Sequence, residues 1–149
     1  VFENLEMSYP AGRKVFGALF FKRSQAVIER VEQVAAEIML GEHLHMQADL
    51  LSHGQKQWLE IGMLLMQDPQ LLMLDEPVAG MSVSERVATA ELLKRISQGR
   101  SVLVIEHDME FVKSIAHKVT VLHQGKVLAE GSMDAVQSNP KVIEVYLGH

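Results

Sequence analysis

Three short segments set carboxylate, amide and imidazole groups where phosphate chemistry could use them. The first is Leu71–Pro77 (LLMLDEP), read as a buried strand that ends in two adjacent carboxylates. That end is the carboxyl edge, where open α/β sheets bind ligands. Mg²⁺ keeps several waters and takes one or two protein carboxylates beside substrate phosphates, a role that suits Asp75. Glu76, one residue on, could accept a proton from an attacking water. The second segment is Leu51–Gln57 (LSHGQKQ). Ser52 and Gln55 have capping-box spacing, and Gly54 sits in the first helical turn, where glycine costs stability unless something approaches the backbone closely. A helix start with free amides, a hydroxyl and a bare glycine suits an anion such as phosphate. The third is His107, after the apolar run Val102–Ile105, where an imidazole could bond a phosphate oxygen or orient a water. Each segment also has a plainer local reading: an acidic turn closed by Pro77, a simple helix cap, and a structural histidine.

The elements that must position these groups follow from periodicity. Ser24 is expected to cap a helix running to about Met39, with Val27, Ile28, Val31, Val34, Ala35 and Ile38 on one face. Residues 1 to about 50 read as helical and irregular, without a strand. From Ser52 helices and strands alternate: helix 53–66, strand 71–74 buried on both faces, helix 83–97, strand 102–105, helix 109–116. Val119–Leu122 and Lys126–Ala129 flank a hairpin turn, and two short helices, about 132–138 and 141–147, end the chain. The pattern implies an α/β domain with a mainly parallel sheet and flanking helices.

Bulk composition narrows the function. The chain has 149 residues, 48% hydrophobic and 22% charged, with a net charge of −5, which suits a globular domain with a real core. Lys and Arg are scattered, so no nucleic-acid partner is expected. There is no cysteine, which excludes disulfides and thiolate metal sites. No apolar run approaches the roughly 18 residues that cross a bilayer. The chain begins at Val1 rather than Met, and is expected to be a processed or truncated piece of a longer protein.

In order and spacing, Leu51–Gln57, Leu71–Pro77, Ala79–Ser82 and His107 resemble the ATPase subunits of ABC transporters. The resemblance implies a partial P-loop NTPase domain: a helical subdomain over 1–70 ending in the signature-motif helix, and the C-terminal part of the ATPase core over 71–149. It also implies ATP and Mg²⁺ as cofactors. Residue by residue, Ser52, His53, Gly54 and Gln55 match the signature motif, which in the family contacts the γ-phosphate of ATP held by the opposite subunit of a head-to-tail dimer. Asp75 matches the Mg²⁺-binding residue and Glu76 the catalytic base. Ala79, Gly80, Met81 and Ser82 match the D-loop, and His107 the switch histidine. The ending, Lys126–Gly148, resembles the branched-chain amino acid and urea uptake group. Leu51–Trp58 with Glu76–Ser82 looks closest to that group's urea-type subunit. The implied partners are a second ATPase subunit and membrane permease subunits, placing the protein in the cytoplasm on the inner face of the cell membrane.

The chain departs from the family in two ways. It has no G-x-x-x-x-G-K-[ST] loop to cradle phosphates, so the fragment alone is expected to bind ATP weakly and hydrolyse almost none. His53 stands where the family usually has glycine. Sheet surface left uncovered by an absent N-terminal part is expected to make the fragment self-associate. Phe16–Phe21 is read either as core of the helical unit or as a docking surface for the permease. His43 and His45, two apart, are a weak candidate metal pair. Two other functions stay open: a non-transport ABC ATPase, disfavoured by the lack of tandem cassettes or a coiled-coil insertion, and a non-catalytic half-domain that binds a partner.

Overall fold

The computed structural model describes residues 1–10 and 23–147; the Phe16–Phe21 run lies outside them. The described chain forms two compact units, Val1–Ile105 and Glu106–His149.

In the first unit, three helices pack together: α1 (Phe2–Met7), α2 (Gln25–Glu37) and α3 (His53–Leu65). Ser24 caps α2, its hydroxyl accepting from the Val27 amide. The apolar face read from spacing is the one that packs: Val27, Val31, Val34 and Ala35 are buried, and Ile38 just beyond the helix has no exposed surface. Complete burial of the Val and Ile side chains stabilises by about 1.5–3 kcal/mol each. Gly62 lets α3 approach closely, because a Cβ there would stand 2.4 Å from Ile38 Cδ1 and 3.1 Å from Leu5 Cδ2. Two arginines satisfy carbonyls left open at helix ends: Arg30 donates to Leu65 O (2.8 Å) and Arg95 to Glu37 O (3.0 Å).

The α/β part follows α3. Strand β1 (Leu71–Asp75) runs parallel to β2 (Ser101–Ile105), with Asp75 opposite Ile105. Helix α4 (Val83–Ile96) connects them. Burial along β1 differs from the sequence expectation. Leu72 and Leu74 are buried, at 2% and 9% exposure, but Leu71 and Met73 are 52% and 61% exposed. Leu103 and Ile105, at 48% and 57%, continue that open face onto β2. The cause is the period of two: alternate side chains leave opposite faces of the pair, and only one face is covered among the described residues.

The second unit has helix α5 (Met109–Ile115), the antiparallel hairpin β3 (Val119–His123) and β4 (Lys126–Gly131), and helices α6 (Met133–Gln137) and α7 (Pro140–Val142). A wider helical turn, Ile143–Leu147, follows α7. Phe111, Met133, Val136 and Val142 are its buried side chains. Among the described residues no helix is long and apolar enough to cross a membrane.

Candidate functional site

The N-terminus of α3 is built as its sequence indicates. Ser52 Oγ accepts from the Gln55 amide (3.2 Å), and Gln55 Oε1 accepts from the Ser52 amide (2.9 Å), completing the capping box. The Gln55 amide nitrogen also reaches His43 Nε2 at 3.3 Å. Among the described residues no three His, Cys, Asp or Glu side chains cluster to hold a metal ion, His43 and His45 included.

At the end of β1 the chain turns sharply. Glu76 takes a left-handed backbone (φ +46), uncommon outside glycine and costing on the order of 1–3 kcal/mol. The turn is held by the Glu76 amide donating to Ile105 O (2.9 Å) and the Ala79 amide donating to Glu76 O (3.1 Å). Asp75 and Glu76 are both exposed. A shallow cleft of about 170 Å³ lies beside Asp75, between α3 residues Gln57, Glu60 and Ile61 and the end of β1. A larger cleft of about 590 Å³ opens between α1, Arg23 and the 44–49 turn, and contains none of the residues directed at phosphate.

The loop Ala79–Ser82 passes next to α3. His53 Nε2–H donates to Ala79 O at 2.9 Å. Gly80 has φ +70, a conformation glycine adopts without penalty, and the His53 ring lies 3.4 Å from where its Cβ would be. Met81 is buried, and Ser82 caps α4 in a second capping box with Glu85. Behind this surface, Trp58 Nε1–H donates to Thr89 Oγ1 (2.8 Å), whose own proton goes to Glu85 O (2.8 Å); Met81 Sδ lies 3.3 Å from Thr89 Oγ1. The structure therefore joins Ser52–Gln55 to the 79–82 loop through several bonds.

Glu85 is the residue that sequence reasoning missed. Its carboxylate accepts from Ser52 Oγ (2.9 Å) and from both the amide and hydroxyl of Ser82 (2.9 and 2.8 Å), and it packs against Gly54. Bonds from the Ser82 amide, the Ser82 hydroxyl and Ser52, in that order, hold its pKa below the ordinary carboxylate value. The S-x-x-E spacing announced its place in a helix cap but not its reach to α3.

His107 belongs to the second unit. Its imidazole is 78% exposed, with Nδ1 3.8 Å from Glu106 Oε2. Glu106 is almost fully buried at its side chain and accepts from the amides of His107 (2.9 Å) and Asp108 (3.2 Å). Asp108 then caps α5 by accepting from the Phe111 amide (3.0 Å). The imidazole is thus carried on a backbone turn fixed from below by a buried carboxylate.

A parallel strand pair with its crossover helix, and carboxylates at the carboxyl edge, define an α/β class of architecture. Two solved structures share it over nearly the whole chain. Both are of MJ1267, an ATP-binding cassette of an ABC transporter. One superposes with a TM-score of 0.82 at 27% identity, covering 99% of this chain and 62% of that one. The other, in its ADP conformation, gives 0.80 at 29% with the same coverage. The ABC transporter family model matches residues 1–79, and the model for the branched-chain amino acid ATP-binding cassette transporter matches 126–149. The chain belongs to the ABC transporter ATP-binding family. Similar proteins include the high-affinity branched-chain amino acid transport ATP-binding protein LivG of Escherichia coli, 37% identical over 86% of this chain and 51% of that protein. BraF of Pseudomonas aeruginosa, of the same description, is 36% identical over 97% of this chain and 57% of its own length. The chain spans about half the length of these relatives.

Proposed function

We propose that this chain is the signature-motif part of an ATP-binding and ATP-hydrolysing subunit that powers an ABC importer for a small polar solute. The observation that carries the reading is the assembly around Ser52–Gln55. A capped helix start with a bare glycine is bonded to the loop Ala79–Ser82, and the first strand ends in exposed Asp75 and Glu76. In the family such a surface faces the nucleotide held by a second subunit, head to tail.

The donor sets suit ATP and Mg²⁺. Asp75 is an exposed hard oxygen donor with one neighbouring carboxylate, and the described residues form no cage of three or more ligands. That suits Mg²⁺, which takes few protein ligands beside phosphates and waters. ATP, when bound, supplies the phosphoanhydride, and Mg²⁺ offsets the charge of its phosphates. In this reading Ser52, His53, Gly54 and Gln55 bind phosphate oxygens, and Asp75 holds the metal. Glu76 accepts a proton from water at its carboxylate and Ala79–Ser82 crosses to the partner subunit; in the second unit, His107 orients a water or bonds a phosphate oxygen. By role, residues 1–70 are the helical subdomain and 71–149 part of the ATPase core.

The cargo is a branched-chain amino acid, urea or another short amide. LivG and BraF carry the branched-chain amino acid description, and the segments Leu51–Trp58 and Glu76–Ser82 resemble the urea-type subunit. The partners are a second ATPase subunit and permease subunits on the inner face of the cell membrane. Taken alone, the chain binds nucleotide weakly, hydrolyses almost none, and self-associates through the apolar face of β1 and β2. The test is a titration of the chain with MgATP to about 10 mM, above the roughly 1 mM upper range of ordinary enzyme KM values, followed by amide NMR. Weak, saturable shifts at Ser52–Gln55 and Ala79–Ser82 without turnover support the reading. Rapid hydrolysis abolished by Glu76→Gln would refute the half-site description, and silence at Ser52–Gln55 would refute the phosphate role.

A further inference from the structure

The donors at the start of α3 are already committed to an anion, and that anion is the chain's own. Ser52 Oγ gives its proton to Glu85 Oε1, which lies 33 residues away in sequence, and the same carboxylate packs on Gly54. The contact is tight. A Cβ on Gly54 would stand 2.6 Å from Glu85 Oε1 and 2.7 Å from its Cδ, so the carboxylate rests directly on the glycine. This reach is more than a cap for α4, because Oε2 alone takes the Ser82 amide and hydroxyl and completes that capping box. Oε1 is left to serve α3.

We propose that Glu85 is an internal competitor for the anion position at the N-terminus of α3, and that a phosphate takes Ser52 and Gly54 only when this carboxylate moves off them. The proposal rests on the reading of Ser52–Gln55 as a phosphate contact. Two anions cannot share one hydroxyl proton and the space over one glycine, and at that separation their charges repel. Displacement has a definite consequence, since Glu85 also holds the Ser82 amide and hydroxyl. A phosphate arriving at α3 is therefore registered at the start of α4 and in the loop before it. The bond from His53 to Ala79 O is independent of Glu85 and keeps that loop against α3 while the carboxylate moves. Glu85 is thus a regulatory residue of the site: it satisfies Ser52 and covers Gly54 in the absence of nucleotide, and sets a threshold for their use.

The test is titration of the whole chain with inorganic tripolyphosphate at neutral pH, followed at the Gly54 and Gln55 amides by NMR. Wild type, Glu85→Gln and Glu85→Ala are compared, with Glu91→Gln on the exposed face of the same helix as a control for net charge. Removing a competing state that holds the site about nine-tenths of the time tightens apparent affinity about tenfold. Glu85→Gln and Glu85→Ala should therefore saturate at about one-tenth of the wild-type concentration, with Glu91→Gln unchanged. Glu85→Gln keeps an acceptor for the Ser82 cap, so it remains readable if the alanine variant unfolds. Equal affinity in wild type and Glu85→Gln, or an equal gain in Glu91→Gln, overturns the competition and leaves the phosphate reading standing. No response at Gly54 in any variant overturns the phosphate reading itself, and this inference with it.

Discussion

Replacing Thr89 by valine removes one hydroxyl from the middle of the site's support and changes almost nothing else. Thr89 has no exposed surface, and valine has its shape, so neither a cavity nor overpacking accompanies the change. What is lost is the acceptor for Trp58 Nε1–H, bonded at 2.8 Å in a buried setting. A buried donor left unsatisfied costs about 1–3 kcal/mol, and loss of the bond to Glu85 O removes a weaker local contribution. The expected destabilisation is about 2 kcal/mol, which at a typical slope of about 1–3 kcal/mol per molar urea lowers the midpoint by about 1 M. The chain contains one tryptophan, so emission from Trp58 reports unfolding of the first unit alone. Trp58→Phe and the double variant, which carry no tryptophan and are followed with the others by far-ultraviolet circular dichroism, complete a cycle whose coupling should be about 1 kcal/mol. Thr89→Ser keeps the hydroxyl and should keep the native emission while losing about 0.8 kcal/mol for the missing methyl. A Thr89→Val midpoint indistinguishable from wild type, with unchanged native emission, would show that this bond does not anchor α3 to α4. The same loosening should raise hydrogen exchange at Gly54 and Gln55, because Trp58 lies one turn along their helix.

Other outcomes follow from single contacts. Gly62→Ala drives a methyl toward Ile38 Cδ1, costing about 1–3 kcal/mol against about 1 kcal/mol of helix propensity regained. The net loss of stability should be reduced by adding Ile38→Val, which deletes the clashing atom; no rescue in thermal melts would refute the close approach. Stability should also fall in acid. Glu6, Glu85 and Glu130 have pKa values lowered chiefly by hydrogen bonds from Arg23, Ser82 and Lys118 respectively. Their contributions are complete above the unfolded carboxylate value near 4.5, and disappear as pH falls through the lower folded values. Urea midpoints between pH 6 and pH 3 check this, and a flat profile would refute it. Sedimentation should show concentration-dependent association that Met73→Lys with Leu103→Glu abolishes. Persistence of the oligomer in that variant would place the contact elsewhere than on the open face of β1 and β2.

Much of the local framework was legible in the sequence. Ser24, Ser52 and Ser82 start helices where their spacing to Val27, Gln55 and Glu85 indicates, because an N-cap is decided by a side chain and an amide three residues away. The hairpin at His123–Lys126 is equally local. The order of motifs was also enough to indicate the ABC resemblance. What tertiary structure alone decided is which partner each of these groups meets. That Glu85 reaches Ser52 and Gly54, that His53 bonds Ala79 O, and that Trp58 bonds Thr89 all depend on how α3 and α4 pack. The exposure of Leu71 and Met73 likewise depends on which face of the strand pair is covered, which an unbroken apolar run does not encode. Capping and turn geometry act within about four residues and so are written in short motifs. The contacts that set the state of this site span 26 to 33 residues, and their geometry exists only once the helices have been brought together.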